Sequence, residues 1–148
     1  MKWMYPILLS LSLSGVTLST SAQEDMRSIN YEGVNVREKA GTSHQILWRV
    51  SKNFPFKVMG QQGGWSHVKD FEGDTGWVSS RYLSKTPTVI IKNTFANLRA
   101  QPNKTAPKLG SAKYGDVFLL KDVQKEWVKV TLPDGKPAWI FRQLVWGS

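Results

Sequence analysis

The sequence predicts an all-β protein of two small five-stranded barrels in tandem, preceded by an export signal. Three observations carry that prediction. The chain repeats itself at a shift of 62 residues, its apolar residues fall in short runs rich in β-branched and aromatic types between turn residues, and beyond the signal no helical period persists over three turns.

The N-terminus comes first. Lys2 precedes a largely apolar run from Ile7 to Val16, followed by the small residues Ser19-Thr20-Ser21-Ala22 and a polar start at Gln23-Glu24-Asp25. The run falls short of the about 20 apolar residues that span a bilayer, and Ala22 with Thr20 two places before it forms a cleavage site. Residues 1–22 therefore read as a secretory signal peptide, and the expected location is the periplasm or the medium. Of the 148 residues with net charge +9, removal of those 22 takes away Lys2 and leaves 126 residues at +8.

Residues 34–83 lie over 96–145 without a gap. Identities fall at Asn35/Asn97, Arg37/Arg99, Leu47/Leu109, Phe56/Phe118, Trp65/Trp127, Val68/Val130, Gly73/Gly135 and Trp77/Trp139. Tryptophan is rare enough for two aligned pairs at one spacing to outweigh the modest total. We expect a first unit over 23–84 and a second over 85–148, joined by the short stretch Ser84-Lys85-Thr86-Pro87. Each is close to the minimum size that folds alone, since ~60 residues bury only ~60% of the chain surface.

In the first unit strands are expected near 29–37, 46–50, 55–60, 65–70 and 75–79, with turns at Gly63-Gly64 and Glu72-Gly73-Asp74. In the second they are expected near 88–99, 109–113, 116–122, 126–132 and 137–141, with Pro133-Asp134-Gly135 as the clearest turn. Alternation along Trp127–Leu132 puts Val128, Val130 and Leu132 on the core side and Trp127, Lys129 and Thr131 on the other. By the same register Trp65 shares a face with His67 and Lys69.

The set Val34-Asn35-Val36-Arg37, Gly64-Trp65 and Thr75-Gly76-Trp77-Val78 through Tyr82-Leu83 resembles the bacterial SH3-like (SH3b) domain family. The second copy resembles it through Ala96-Asn97-Leu98-Arg99, Glu126-Trp127 and Ala138-Trp139-Ile140. The resemblance implies two SH3-like barrels in an exported envelope protein that binds cell-wall peptides or another envelope protein. It also implies that Trp65 and Tyr82 line a ligand groove in the first copy. In the second copy Trp127 matches but Leu144 replaces the tyrosine. Ser79 and Phe141 stand where many relatives place a groove proline, so proline-rich ligands are not implied. The expected ligand-binding residues are Trp65, Trp77, Tyr82, His67 and Trp127.

Other chemistry finds little footing. With no Cys, disulfides, thiolate metal sites, cysteine nucleophiles and cysteine-linked lipid anchors are excluded. The neighbours Ser66 and His67 point to opposite faces of one strand and cannot act as nucleophile and base. Asp70, Glu72 and Asp74 bracket a turn without the longer, six-oxygen arrangement calcium requires. We expect no enzyme, cofactor or metal. Charge is uneven: residues 23–84 hold 8 basic and 7 acidic residues, and residues 85–148 hold 11 and 4. A basic second unit suits contact with an anionic surface by salt-sensitive attraction; export argues against nucleic acid as the partner. An accessory subunit that docks on another envelope protein, without binding the wall, is the alternative.

Overall fold

The structure, a computed structural model, describes residues 24–147; the signal peptide expected over 1–22 lies outside the described residues. Seven strands form a first sheet: β1 (Met26–Ile29), β2 (Val34–Arg37), β3 (Ile46–Val50), β4 (Pro55–Gln62), β5 (Trp65–Lys69), β6 (Thr75–Ser79) and β7 (Leu83–Ser84). Seven more form a second: β8 (Thr88–Ile91), β9 (Phe95–Arg99), β10 (Lys108–Lys113), β11 (Val117–Gln124), β12 (Trp127–Thr131), β13 (Pro137–Phe141) and β14 (Val145–Gly147). A single 3-10 turn, Ser80–Tyr82 or Arg142–Leu144, precedes the last strand of each. Over the described residues the chain is all-β, in two units.

The shift of 62 holds in three dimensions. The strand order is β3-β2-β6-β5-β4-β1-β7 in one sheet and β10-β9-β13-β12-β11-β8-β14 in the other, with antiparallel pairing throughout. The register break between Val58 and Gly60 recurs between Leu120 and Asp122. Even backbone handedness repeats. Gly63 (φ 59°) and Lys125 (φ 53°) hold the left-handed place in equivalent hairpins, where glycine alone escapes a steric cost.

Two expectations need correcting. Each unit has seven strands rather than five; its sheet is open, its end strands not pairing with each other. The expected strand over 29–37 is two strands, broken where Gly33 takes φ 69°; the one expected over 88–99 breaks in the same place, between Ile91 and Phe95. The two-residue β7 is too short for period-two alternation to reveal, and β14 was missed for the same reason.

Each sheet encloses its own core. Ile29, Val34, Val36, Val50, Phe56, Val68 and Val78 pack together in the first. Val89, Ile91, Leu98, Phe118, Val128, Val130 and Ile140 are the larger members of the second. Burying such a side chain contributes about 1.5–3 kcal/mol, so each unit carries its own apolar drive. One exchange shows how closely the copies are matched. Gly76 lies against Val36, where a Cβ would collide, with the Trp48 ring at ordinary contact distance. The second copy has Ala138 there, Leu98 in place of Val36 and Gly110 in place of the tryptophan.

The units meet at a seam. All four residues of β8 are buried: Val89 and Ile91 face the second core, and by alternation Thr88 and Ile90 face away from it. Ser28 donates to the Thr86 carbonyl at 2.7 Å, and its hydroxyl lies 3.2 Å from that of Ser84. Aromatic rings continue across, from Phe56 through Phe54 and Phe71 to Tyr114 of the second unit, with centroids 4.9, 6.2 and 5.2 Å apart. Partial desolvation, then the nearby Glu72 carboxylate, raises the Tyr114 hydroxyl above its ordinary range.

Candidate functional site

The site is built from the outer face of β5 and β6 and the chain ends that flank them. Antiparallel register sets Trp65 opposite Ser79, and His67 opposite Trp77. Because the strand alternates, Ser66 and Val68 turn inward and are fully buried, and the Ser66 hydroxyl meets that of Ser80 at 2.7 Å. The 3-10 turn after β6 swings Arg81 and Tyr82 back toward Trp65. The break between β1 and β2 brings Tyr31 over them. The result is a groove of about 190 Å³ lined by Tyr31, Asn35, Arg37, Trp65, Arg81 and Tyr82, with Ser79, Thr42 and the Gly33–Val34 backbone completing it.

Its parts are held in place. Tyr31 and Tyr82 pack with centroids 5.6 Å apart. The Arg81 guanidinium lies 4.8 Å from the centre of the Tyr82 ring and donates through Nη2 to its hydroxyl at 2.8 Å. Arg37 donates through Nη1 to the His44 carbonyl at 2.8 Å, bracing the loop between β2 and β3. Asn35 Oδ1 is buried with no partner in the described chain. No acidic side chain lines the groove.

The structure brings two of the expected site residues together in this groove, Trp65 and Tyr82. His67 and Trp77 lie one rung along the same face and stack on each other, 4.7 Å apart and 17° from parallel, outside the lining. Trp127 departs from expectation. It is 9% exposed and packs edge-on against Phe141 at 5.5 Å, because Phe141 fills the space that Ser79 leaves open in the first copy. Its remaining edge borders a separate hollow with Pro102, Gln124, Lys125 and Glu126. The reading of residue types missed Tyr31, Arg37 and Arg81. The signal that finds two of them is a break in the repeat, since Tyr31 aligns with Asn93 and Arg81 with Gln143.

The acidic turn has a structural explanation. Backbone N–H groups of Glu72 and Asp74 both donate to Asp70 Oδ1 at 2.9 Å. Burial raises the Asp70 carboxyl above its ordinary value, partly offset by those two hydrogen bonds.

The molecule is a pair of open seven-stranded β units, one of them bearing an aromatic groove. Residues 32–84 and 94–145 each match the bacterial SH3 domain family, and the chain belongs to it. Over 150 aligned residues it is 22% identical to the Bacillus subtilis (strain 168) protein YrvJ, named as a candidate N-acetylmuramoyl-L-alanine amidase. That match takes in 94% of this chain and 29% of the relative, so the chain spans under a third of YrvJ. Among solved structures it is similar to NlpC2 from Trichomonas vaginalis, at 11% identity and a TM-score of 0.40 over 86% of this chain and 49% of that one. It is also similar to the structure titled endolysin LysPBC5 CBD, at 16% identity and a TM-score of 0.35 over 83% and 93%.

Proposed function

We propose that this chain is a non-catalytic binding protein of the bacterial cell envelope that holds peptides of peptidoglycan in the groove of its first unit. The observation that carries the reading is the meeting of Trp65 and Tyr82 in one open, aromatic hollow. Membership of the bacterial SH3 family supports a cell-wall ligand, and so does the similarity to a protein named as a candidate N-acetylmuramoyl-L-alanine amidase. The domains proposed are 23–84 and 85–148, the first for recognition and the second for basic, salt-sensitive adherence to an anionic envelope surface. His67 and Trp77 extend the contact face beyond the groove. The location that goes with this reading is extracellular or periplasmic, after removal of residues 1–22.

The test is calorimetric binding to purified peptidoglycan fragments by wild type and by the double variant Trp65→Ala, Tyr82→Ala. Stacking against aromatic side chains is lost in that variant, and at least about tenfold weaker binding is expected, equivalent to about 1.4 kcal/mol. Undiminished binding by the variant overturns the groove assignment. No binding by wild type, with cross-linking in cells to one dominant envelope protein, supports the accessory-subunit alternative instead.

A further inference from the structure

The two copies share a scaffold, and several of the positions at which they differ surround the groove. Around the groove, Tyr31, Ser79, Arg81 and Tyr82 of the first unit are Asn93, Phe141, Gln143 and Leu144 in the second. Arg37 is different in kind. Its counterpart Arg99 makes the same loop-bracing bond, to the Ala106 carbonyl at 2.9 Å, in a copy whose groove is filled. Arg37 is thus scaffold, whereas Arg81 belongs to the open groove alone.

Arg81 is prepared for an anion. One of its five N–H donors is spent on the Tyr82 hydroxyl, which fixes the guanidinium over the ring and leaves the rest of its fork available. The ion pairs among the described residues are Arg27–Asp25 and Lys57–Glu24, so neither groove arginine is neutralised by a carboxylate. With no acid in the lining, two guanidiniums give the hollow a positive field. At about 190 Å³ it is smaller than the about 300 Å³ at which pockets for whole small ligands begin. It takes one end or one side group of a longer ligand.

We infer that the groove reads a carboxylate: its ligand is an acidic peptide whose free carboxyl pairs with the fork of Arg81, while the adjoining apolar part lies on Trp65 and the two tyrosines. This rests on the groove reading above and narrows it to one chemical feature. Pre-fixed arginine forks suit planar carboxylates, and charge-assisted hydrogen bonds are about twice as strong as neutral ones.

The experiment uses soluble peptidoglycan fragments in two forms, one with free carboxyl groups and one with those groups converted to amides, titrated into the full chain. Wild type is expected to prefer the free form by at least about tenfold. Arg81→Gln is expected to bind both forms alike, at the weaker level, and Arg81→Lys to recover part of the preference. Lys125→Gln removes the same charge from the second unit and is expected to keep the full preference, which separates a local contact from general attraction. Equal binding of the two forms by wild type overturns the carboxylate reading; if Trp65→Ala, Tyr82→Ala still abolishes binding, the groove itself stands. A preference that survives in Arg81→Gln but falls in Lys125→Gln moves recognition to the basic unit and overturns the assignment to Arg81. Binding of neither form by wild type removes the peptidoglycan reading and this inference together.

Discussion

A single carboxylate decides how the tip of the β5–β6 hairpin is held. Asp70 accepts from two backbone N–H groups at the hairpin tip, while its counterpart in the second copy is Leu132, whose turn closes through backbone bonds and through Asp134 Oδ1, which accepts from the Lys136 N–H at 2.9 Å. Asp70→Ala is expected to destabilise the protein by about 0.5–1.5 kcal/mol, the net range for a hydrogen bond whose donors water can reach, as measured by urea unfolding. Asp70→Asn keeps an acceptor and is expected to lose less. The pH dependence runs opposite to that of an ordinary paired carboxylate. Burial raises the folded-state value above the ordinary carboxylate range, so ionisation costs the native state stability at neutral pH, and the cost is relieved as pH falls through the folded value. Wild type should therefore gain on Asp70→Asn as pH is lowered from neutrality toward 3.8; a difference that stays flat or moves the other way would refute the assigned cause.

At the level of elements, the same β-hairpin supplies an open face in one unit and a closed one in the other. The register is identical, Trp65 facing Ser79 and Trp127 facing Phe141, so the outcome turns on the side chain at the end of the sixth strand. Ser79→Phe should convert the first face to the second by laying a ring over Trp65, as Phe141 lies over Trp127. We expect at least about tenfold weaker binding of peptidoglycan fragments, with urea stability within about 0.5 kcal/mol of wild type, since the position is not buried in the core. Retained binding would mean the ligand bypasses Trp65. The periodic pattern in β5 and β12 revealed both inward faces, Val68 and Val130 among them, because alternation is set locally by the pleat. It was silent on whether an outward tryptophan is open or covered, since that depends on a strand neighbour ten or more residues away.

For the whole molecule, charge and the seam matter together. The second unit holds 11 basic and 4 acidic residues over 85–148, and both ion pairs among the described residues lie in the first unit. Two of its lysines rest on aromatic rings instead, Lys129 at 5.8 Å from Trp139 and Lys104 at 5.3 Å from Phe141. If this unit adheres to a phosphate-bearing envelope polymer, retention of the full chain on such a polymer should fall steeply between about 0.1 M and about 1 M salt, as the screening length drops from about 10 Å to about 3 Å. Binding of free-carboxyl fragments should depend on salt far less, because an arginine fork over a ring acts at contact distance. A flat retention curve would remove the adherence role. Ser28 with Thr86, and Phe71 with Tyr114, form the seam between the units.

Repetition, strand content and the inward faces all follow from the order of residues, because they depend on local alternation, turn chemistry and a constant offset of 62; the pairing of Trp65 with Tyr82 came only from the family resemblance. The open seven-stranded sheets, the stacking of His67 on Trp77, the covering of Trp127 and the entry of Tyr31 and Arg81 into the groove depend on which distant segments come to rest side by side. Those neighbours are chosen by packing over the whole unit, and no window of sequence contains them.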